Sequence, residues 1–316
     1  MGLSMEFMIY LQRDGHLTPE KNKFLDIGPQ NVYFATDTQI RTFVKAQGQT
    51  VSDDELEKEI ERLVYFSTPR RGERTTLLSE ITDLTNTEYN SFDVCPGLKT
   101  HILDLNFDPL PADDAERYDV VINFGTTEHI LNQWNCFTVM HDAVRVGGVI
   151  FCQLPASGYL EHGYFCYTPL FFRELAQANH YEILDIFLND AGSSDIRDSK
   201  IDVRDTANVQ TRDSAGIARD RCRIPQFNIL ALMRKTRSAR FRGGLEIATA
   251  HSGVDPQVTW RYMDHEQLRG ALAEQQKRLD KVREQDNAIR DLEAIRNSTS
   301  WKITAPLRRL ARLVGR

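Results

Sequence analysis

Carboxylate and imidazole side chains recur in this chain where apolar runs end. Tyr118-Asp-Val-Val-Ile-Asn-Phe-Gly-Thr-Thr-Glu-His-Ile130 contains the run Val120, Val121, Ile122, followed by Asn123 to His129. The run reads as a buried strand, and Asn123 to His129 as the loop leaving its carboxyl end. Parallel α/β sheets bind ligands at such loops, so this one is expected to face a ligand. Glu128 and His129 supply a carboxylate and an imidazole there. A second histidine, His162, lies in Leu154-Pro-Ala-Ser-Gly-Tyr-Leu-Glu-His-Gly-Tyr-Phe-Cys-Tyr-Thr-Pro169, beyond another apolar run. Histidine titrates near neutral pH and can accept a proton from an alcohol. Glu161 is a weaker candidate base, and Tyr159, Tyr164, Phe165 and Tyr167 could stack on a sugar face or enclose a cofactor. The plainer use of His162 is as a satisfied loop histidine in an aromatic minicore. No Ser-His-Asp spacing, metal-ligand cluster or Gly-x-x-x-x-Gly-Lys occurs, so a triad, a metal centre and a phosphate loop are not expected.

The elements that must position these residues emerge from periodicity. Leu131 to Val144 read as a helix, with Phe137, Met140 and Val144 at helical spacing. Gly147-Gly148 then turn the chain into a second buried strand, Val149-Ile-Phe-Cys-Gln-Leu154. Tyr181-Glu-Ile-Leu-Asp-Ile-Phe-Leu188 and Phe227-Asn-Ile-Leu-Ala-Leu-Met233 read as the last two strands, with a long insertion, Asn189 to Gln226, between them. An insertion of that length serves either as a substrate-side lid or as a solvated excursion.

This arrangement resembles the fourth and fifth strands of class I S-adenosylmethionine (SAM)-dependent methyltransferases. Their fourth strand commonly ends in Glu-His, and a Gly-Gly turn precedes their fifth. Lys23-Phe-Leu-Asp-Ile-Gly28 is similar to that family's first strand and the opening of its cofactor loop. Asn90-Ser-Phe-Asp-Val94 is similar to its second strand, and His101-Ile-Leu-Asp-Leu-Asn106 to its third-strand segment. The resemblance covers residues 20 to 235. It implies an α/β fold: a Rossmann-like, seven-stranded sheet with helices on both faces, with SAM as cofactor. On that pattern Asp93 accepts hydrogen bonds from the ribose hydroxyls, or else serves as a turn aspartate before Pro96-Gly97. Gly28 lets backbone approach the cofactor, and Asp26 supports the loop. Asp104 and Asn106 bind the adenine amino group or form the turn before Pro109. Asn123, Phe124 and Gly125 line the methionine side, while Glu128 and His129 shape the pocket. The first loop departs from the family's Gly-rich pattern. Pro29, Gln30 and Asn31 come after Gly28, and Asn31, which tolerates positive φ, is expected to replace a glycine. The stretch from Asp26 to Asp93 is longer than one helix needs. It implies an insertion near the cofactor mouth, with an acidic helix at Ser52 to Arg62 and a basic turn at Arg70 to Arg74.

Composition narrows the class. The chain has 316 residues, 41% hydrophobic and 27% charged, ordinary values for a globular protein. A net charge of -6 argues against a general nucleic-acid binder. Five scattered cysteines include no Cys-x-x-Cys pair, so a disulfide framework is not expected. With no secretory signal or membrane-length apolar run, a cytoplasmic location is expected, with a peripheral place at the inner membrane face as an option that the C-terminal tail opens. Residues 1 to 22 read as a polar lead-in, with a short helix covering the cofactor.

The pattern changes after Lys235. Residues 1–235 are assigned to the α/β domain and 236–262 to a linker. In residues 263–296, Leu272, Leu279, Val282 and Ile289 fit a heptad seam completed by Gln275 and Asp286, which reads as a coiled coil holding an oligomer or a partner, or else as a single solvated helix. In residues 297–316, Pro306 opens a helix whose Leu307, Leu310, Leu313 and Val314 share one face among arginines. That pattern suits an anionic membrane surface or an acidic partner. The string Ser298-Thr-Ser-Trp-Lys-Ile-Thr-Ala-Pro-Leu-Arg308 also resembles tails on bacterial enzymes of surface-polysaccharide assembly. The joint expectation is O-methylation of a cell-surface glycan or its lipid-linked precursor. The alternatives are a non-catalytic methyltransferase-like scaffold and a nicotinamide or nucleotide-sugar enzyme. The last is disfavoured because no Gly-x-Gly-x-x-Gly succeeds the first strand.

Overall fold

Buried strands alternating with amphipathic helices build a doubly wound sheet. The computed structural model describes residues 2–190, 200–202, 226–244, 265–306 and 308. It divides into two compact units, Met1–Glu246 and Ile247–Arg316. In chain order the first unit holds β1 (Gly2–Leu3), α1 (Met5–Arg13), β2 (Lys23–Ile27), β3 (Asn31–Val32), α2 (Asp37–Ala46), α3 (Asp53–Ser67), α4 (Leu78–Thr82), β4 (Glu88–Asp93) and β5 (Thr100–Ile102). It continues with β6 (Tyr118–Phe124), α5 (Gln133–Ala143), β7 (Val144–Ser157), α6 (Pro169–Asn179), β8 (Tyr181–Asp190), β9 (Lys200–Asp202) and β10 (Phe227–Lys235).

The main sheet runs β5-β4-β2-β6-β7-β10-β8-β9. From β5 to β7 neighbours are parallel. β10 inserts antiparallel between β7 and β8. Numbered by the seven segments read from sequence, the order is third, second, first, fourth, fifth, seventh, sixth. The eighth strand, β9, comes from the insertion after β8 and pairs antiparallel with it.

Strand periodicity divides the core between the two faces. Phe24, Val120, Ile122, Phe124 and Phe151 pack into one cluster with residues of α1 to α4. Leu25, Ile27, Val121, Ile150 and Cys152 pack into the other with α5 and α6. Strands covered on both faces read as continuous apolar runs, which is why β6 is buried from end to end. Local chemistry sets the helix starts. Thr36 and Gln39 form a capping box on α2, and Ser52 caps α3. Thr168 caps α6 with Pro169 in its first turn.

Two expectations are corrected. The short helix expected in the first residues is present as α1, but the segment is not a polar lead-in. Met5, Phe7, Met8 and Leu11 of α1 are buried, and Phe7 meets Phe124 edge-on at 5.2 Å. Gly147 and Gly148 do not precede the strand but lie within β7, where its register with β6 shifts. Gly147 has φ +82°, and a Cβ on Gly148 would lie 2.9 Å from the Asp119 carbonyl oxygen. The stretch between β2 and β4 is filled by β3 and three helices, and α3 contains the acidic segment. Residues past Lys235 continue onto this unit. Phe241 is buried, and the Arg242 N–H donates to Asn179 Oδ1 at 2.8 Å.

The second unit holds α7 (His265–Asn297) and the short α8 (Thr299–Ile303), capped by Ser298. Leu307, Leu310, Leu313 and Val314 lie outside the described residues, as do 191–199, 203–225 and 245–264. No described helix is long and apolar enough to cross a membrane.

Candidate functional site

The strand order reverses between β2 and β6, and ligands of doubly wound sheets bind outside the carboxyl ends at such a point. A cavity of about 390 Å³ opens there. Gly28 comes directly after β2 with φ +85°, and a Cβ on it would lie 2.3 Å from Thr126 Oγ1. Only glycine lets the two loops meet this closely. The Gly28 N–H donates to the Phe92 carbonyl at 2.9 Å, fixing the loop against β4. Asp26 braces it from within. One oxygen accepts from the Gln30 N–H at 3.0 Å and from the Tyr89 hydroxyl at 2.8 Å. Burial raises this carboxyl well above the usual range.

The rim brings together several residues singled out in the sequence. Gly28, Asp93, Asp104, Asn106, Gly125 and His129 all line the cavity. Asp93 ends β4, and its Oδ1 accepts from the Cys95 N–H at 2.8 Å. A carboxylate has acceptor capacity beyond that one bond. Asp104 accepts from the Asn106 N–H at 2.9 Å. Asn106 accepts through its carbonyl from Asn132 Nδ2 at 2.9 Å, tying this loop to the cap of α5.

Others are placed elsewhere. Asn31 does not stand in for a glycine; it pairs with Gly2 in β3 and is not among the residues with positive φ. Phe124 points away from the cavity, into the core with Phe7 and Phe151. Asn123 is fully buried and donates from Nδ2 to Thr127 Oγ1 at 2.8 Å, so it shapes the turn after β6 and does not line the cavity. Gln30 and Thr126 do line it, although neither stands out in the sequence. Their adjacency to Gly28 and Gly125 is the available signal.

Beside His129 lies a cluster that the sequence does not reveal as one. Thr127–His129 form a single 3-10 turn, and Glu128 is completely buried. Neither Glu128 carboxylate oxygen has a hydrogen-bond partner among the described residues. The nearest basic atoms are His162 Nε2 at 3.5 Å and His129 Nε2 at 3.8 Å from Oε1. Burial pushes the Glu128 carboxyl up to about 7. The His129 imidazole is lowered, mainly by burial and then by His162.

The loop carrying His162 is stitched onto this turn. The Tyr164 N–H donates to the Glu128 carbonyl at 2.7 Å. Gly163 passes so close that a Cβ would lie 2.8 Å from Glu128 Cγ. The Tyr167 hydroxyl donates within the same corner to Gln133 Oε1, at 2.6 Å. The site therefore combines a Gly-lined crevice carrying carboxylates with an adjoining Glu-His-His corner, and His129 belongs to both.

No family model matches the chain. No curated protein matches it significantly. Solved structures show a distant likeness. An O-methyltransferase from a trans-AT PKS multienzyme of Brevibacillus brevis, in complex with S-adenosyl-L-homocysteine, is 13% identical over 73% of this chain and 71% of its own, with a TM-score of 0.37. A 1,6-didemethyltoxoflavin-N1-methyltransferase of Burkholderia thailandensis is 10% identical over 73% and 76%, with a TM-score of 0.36. The [4+2]-cyclase SpnF is 9% identical over 74% and 81%, with a TM-score of 0.39.

Proposed function

We propose that this chain is a SAM-dependent methyltransferase that O-methylates a sugar of a bacterial cell-surface glycan or its lipid-linked precursor. The observation that carries this reading is the crevice at the strand-order reversal, with Gly28 at its floor and Asp93 at its rim. Its volume of about 390 Å³ falls in the range of small-molecule pockets. These residues fit the cofactor. Asp93 offers acceptors to ribose hydroxyls, Asp104 and Asn106 offer polar groups to a base, and Gly28 admits close backbone contact. When bound, SAM supplies a methyl group on a sulfonium to a nucleophile held in line with it. The chain's own task is then to orient an acceptor hydroxyl and let its proton leave. Glu128, His129 and His162 are the titratable groups beside the crevice suited to that. Leu160 and Tyr164, both exposed in the loop carrying His162, offer an apolar surface for a sugar ring. The glycan class rests on the polysaccharide-enzyme resemblance of the tail.

Calorimetric titration with SAM and its demethylated product tests the cofactor. Saturable binding of both is expected, and a preference for a nicotinamide nucleotide would overturn the reading. Incubation with labelled SAM and lipid-linked glycan precursors tests the acceptor. His162→Gln is expected to lower turnover while leaving cofactor affinity near that of the unaltered protein. Cofactor binding with no transfer to any glycan would favour the scaffold alternative.

A further inference from the structure

We infer that Glu128, His129 and His162 form a binding site for one divalent first-row transition-metal ion of the zinc or iron(II) class. Each residue offers one ligand atom, and all three atoms lie within 4.8 Å of one another. Bonds of 2.0–2.2 Å to a tetrahedral ion put neighbouring ligand atoms about 3.4 Å apart. The Glu128 Oε1 to His162 Nε2 separation is 3.5 Å, and that to His129 Nε2 is 3.8 Å. Small side-chain rotations would bring all three onto a common ion.

A second observation points to a ligand independently. Glu128 is completely buried, and neither of its oxygens has a hydrogen-bond partner among the described residues. Buried polar groups are almost always satisfied, and an orphan of this kind calls for an ion or water that completes it. The Glu128 carboxylate faces the two imidazoles, and a cation between the three would pair it. Two imidazoles and one carboxylate favour zinc, iron or cobalt over magnesium, which takes oxygen ligands and water. The backbone holds the ligands in place. Glu128 and His129 share one turn, and the Tyr164 N–H bond to the Glu128 carbonyl ties the His162 loop to it. The imidazole side chains remain 46% and 32% exposed, which leaves coordination positions for water or a substrate oxygen.

The catalytic use of this ion rests on the methyltransferase reading; the site itself does not. A hydroxyl coordinated there would be acidified by the cation. On transfer an O–CH3 bond forms, the S–CH3 bond breaks, the sulfur keeps the bonding pair, and, with the three side chains engaged as ligands and not as bases, the hydroxyl proton passes to solvent water.

The test uses the full chain, stripped with a chelator and titrated with Co2+, whose visible spectrum reports its ligands, and with Zn2+ against a chromophoric chelator. One equivalent per chain is expected. Glu128→Gln and His162→Asn should each weaken binding by roughly a hundredfold or more, beyond what outer partners of a metal contribute. His129→Asn, at the most exposed of the three, serves where another variant does not fold by circular dichroism. Absence of stoichiometric binding, binding of Mg2+ alone, or unchanged affinity in the folded variants would overturn the inference. S-adenosylhomocysteine binding is measured in parallel. Cofactor binding without metal removes this inference alone; metal binding without cofactor removes the methyltransferase reading and leaves the metal site.

Discussion

At the scale of single residues, the crevice and the core make separable demands. Asp93→Ala removes a charged acceptor from the crevice rim and should cost about 1.5–3 kcal/mol of cofactor affinity, roughly ten- to a hundredfold. Titration with S-adenosylhomocysteine reads this, and unchanged affinity in a folded variant would reduce Asp93 to a turn residue. Gly28→Ala should harm both binding and folding. Its φ of +85° costs an L-residue about 1–2 kcal/mol, and the new methyl would displace Thr126. Urea unfolding and the same titration should both register the loss; a variant equal to the parent in both would show that the loops can part cheaply. Far from the crevice, His141 is buried between the Tyr181 hydroxyl and the Ala239 carbonyl. Burial holds its imidazole below the ordinary value of 6.5, and Lys235 adds to this, while the Ala239 carbonyl, Asp142 and Glu116 oppose it. Above that value His141 is neutral whether the chain is folded or not. Below it the unfolded chain takes up a proton that the folded one resists, so stability falls with pH. His141→Gln should flatten that part of the stability curve. A slope equal to the parent's below pH 6.5 would assign the acid sensitivity to other groups.

At the scale of elements, legibility in the sequence tracks burial. β6 and β7 are readable because strands covered on both faces need continuous apolar residues. The bulge at Gly147-Gly148 is not, because a register shift leaves no periodic trace. Phe124 reads as facing the cofactor, yet strand alternation puts it on the face of Val120 and Ile122, under α1. Glu128 and His162 each stand out, but their meeting depends on the Tyr164–Glu128 backbone bond between distant segments, which spacing cannot reveal. α7 presents the opposite case, a pattern clear in sequence and unsatisfied by its own unit. Leu272, Leu279, Val282 and Ile289 are each 50–54% exposed. A long helix with so little packing gains stability by burying its apolar stripe against another helix. Self-association is therefore expected through this seam. Leu279→Glu with Val282→Glu should shift light-scattering mass toward the monomer and leave S-adenosylhomocysteine binding intact. A parent protein that is already monomeric at high concentration would refute pairing with itself.

At the scale of the whole molecule, charge is divided unevenly along the chain. Residues 297–316 carry five basic residues and no acidic one, so the net charge of -6 becomes -11 without them. The remainder is acidic overall, so the tail is the segment whose charge favours an anionic bilayer. Its described part is already amphipathic: Trp301 and Ile303 are exposed, and the Arg308 guanidinium lies 3.5 Å from the Trp301 ring centre. Such a pair puts a cation and an interfacial aromatic at one place, as membrane-surface segments do. Each basic residue near an anionic surface contributes about 1 kcal/mol, so the tail is expected to hold the protein there reversibly. Salt should weaken the attachment, because exposed charges are screened beyond about 10 Å at 0.1 M. Sedimentation with anionic vesicles at two salt concentrations measures this. The full chain should pellet at low salt and be released at high salt. A chain lacking residues 297–316 should stay in solution and keep its cofactor affinity, because Gly28, Asp93 and the rest of the crevice belong to the other unit. Equal pelleting of the two chains would exclude a membrane anchor and leave an acidic protein as the partner of the tail.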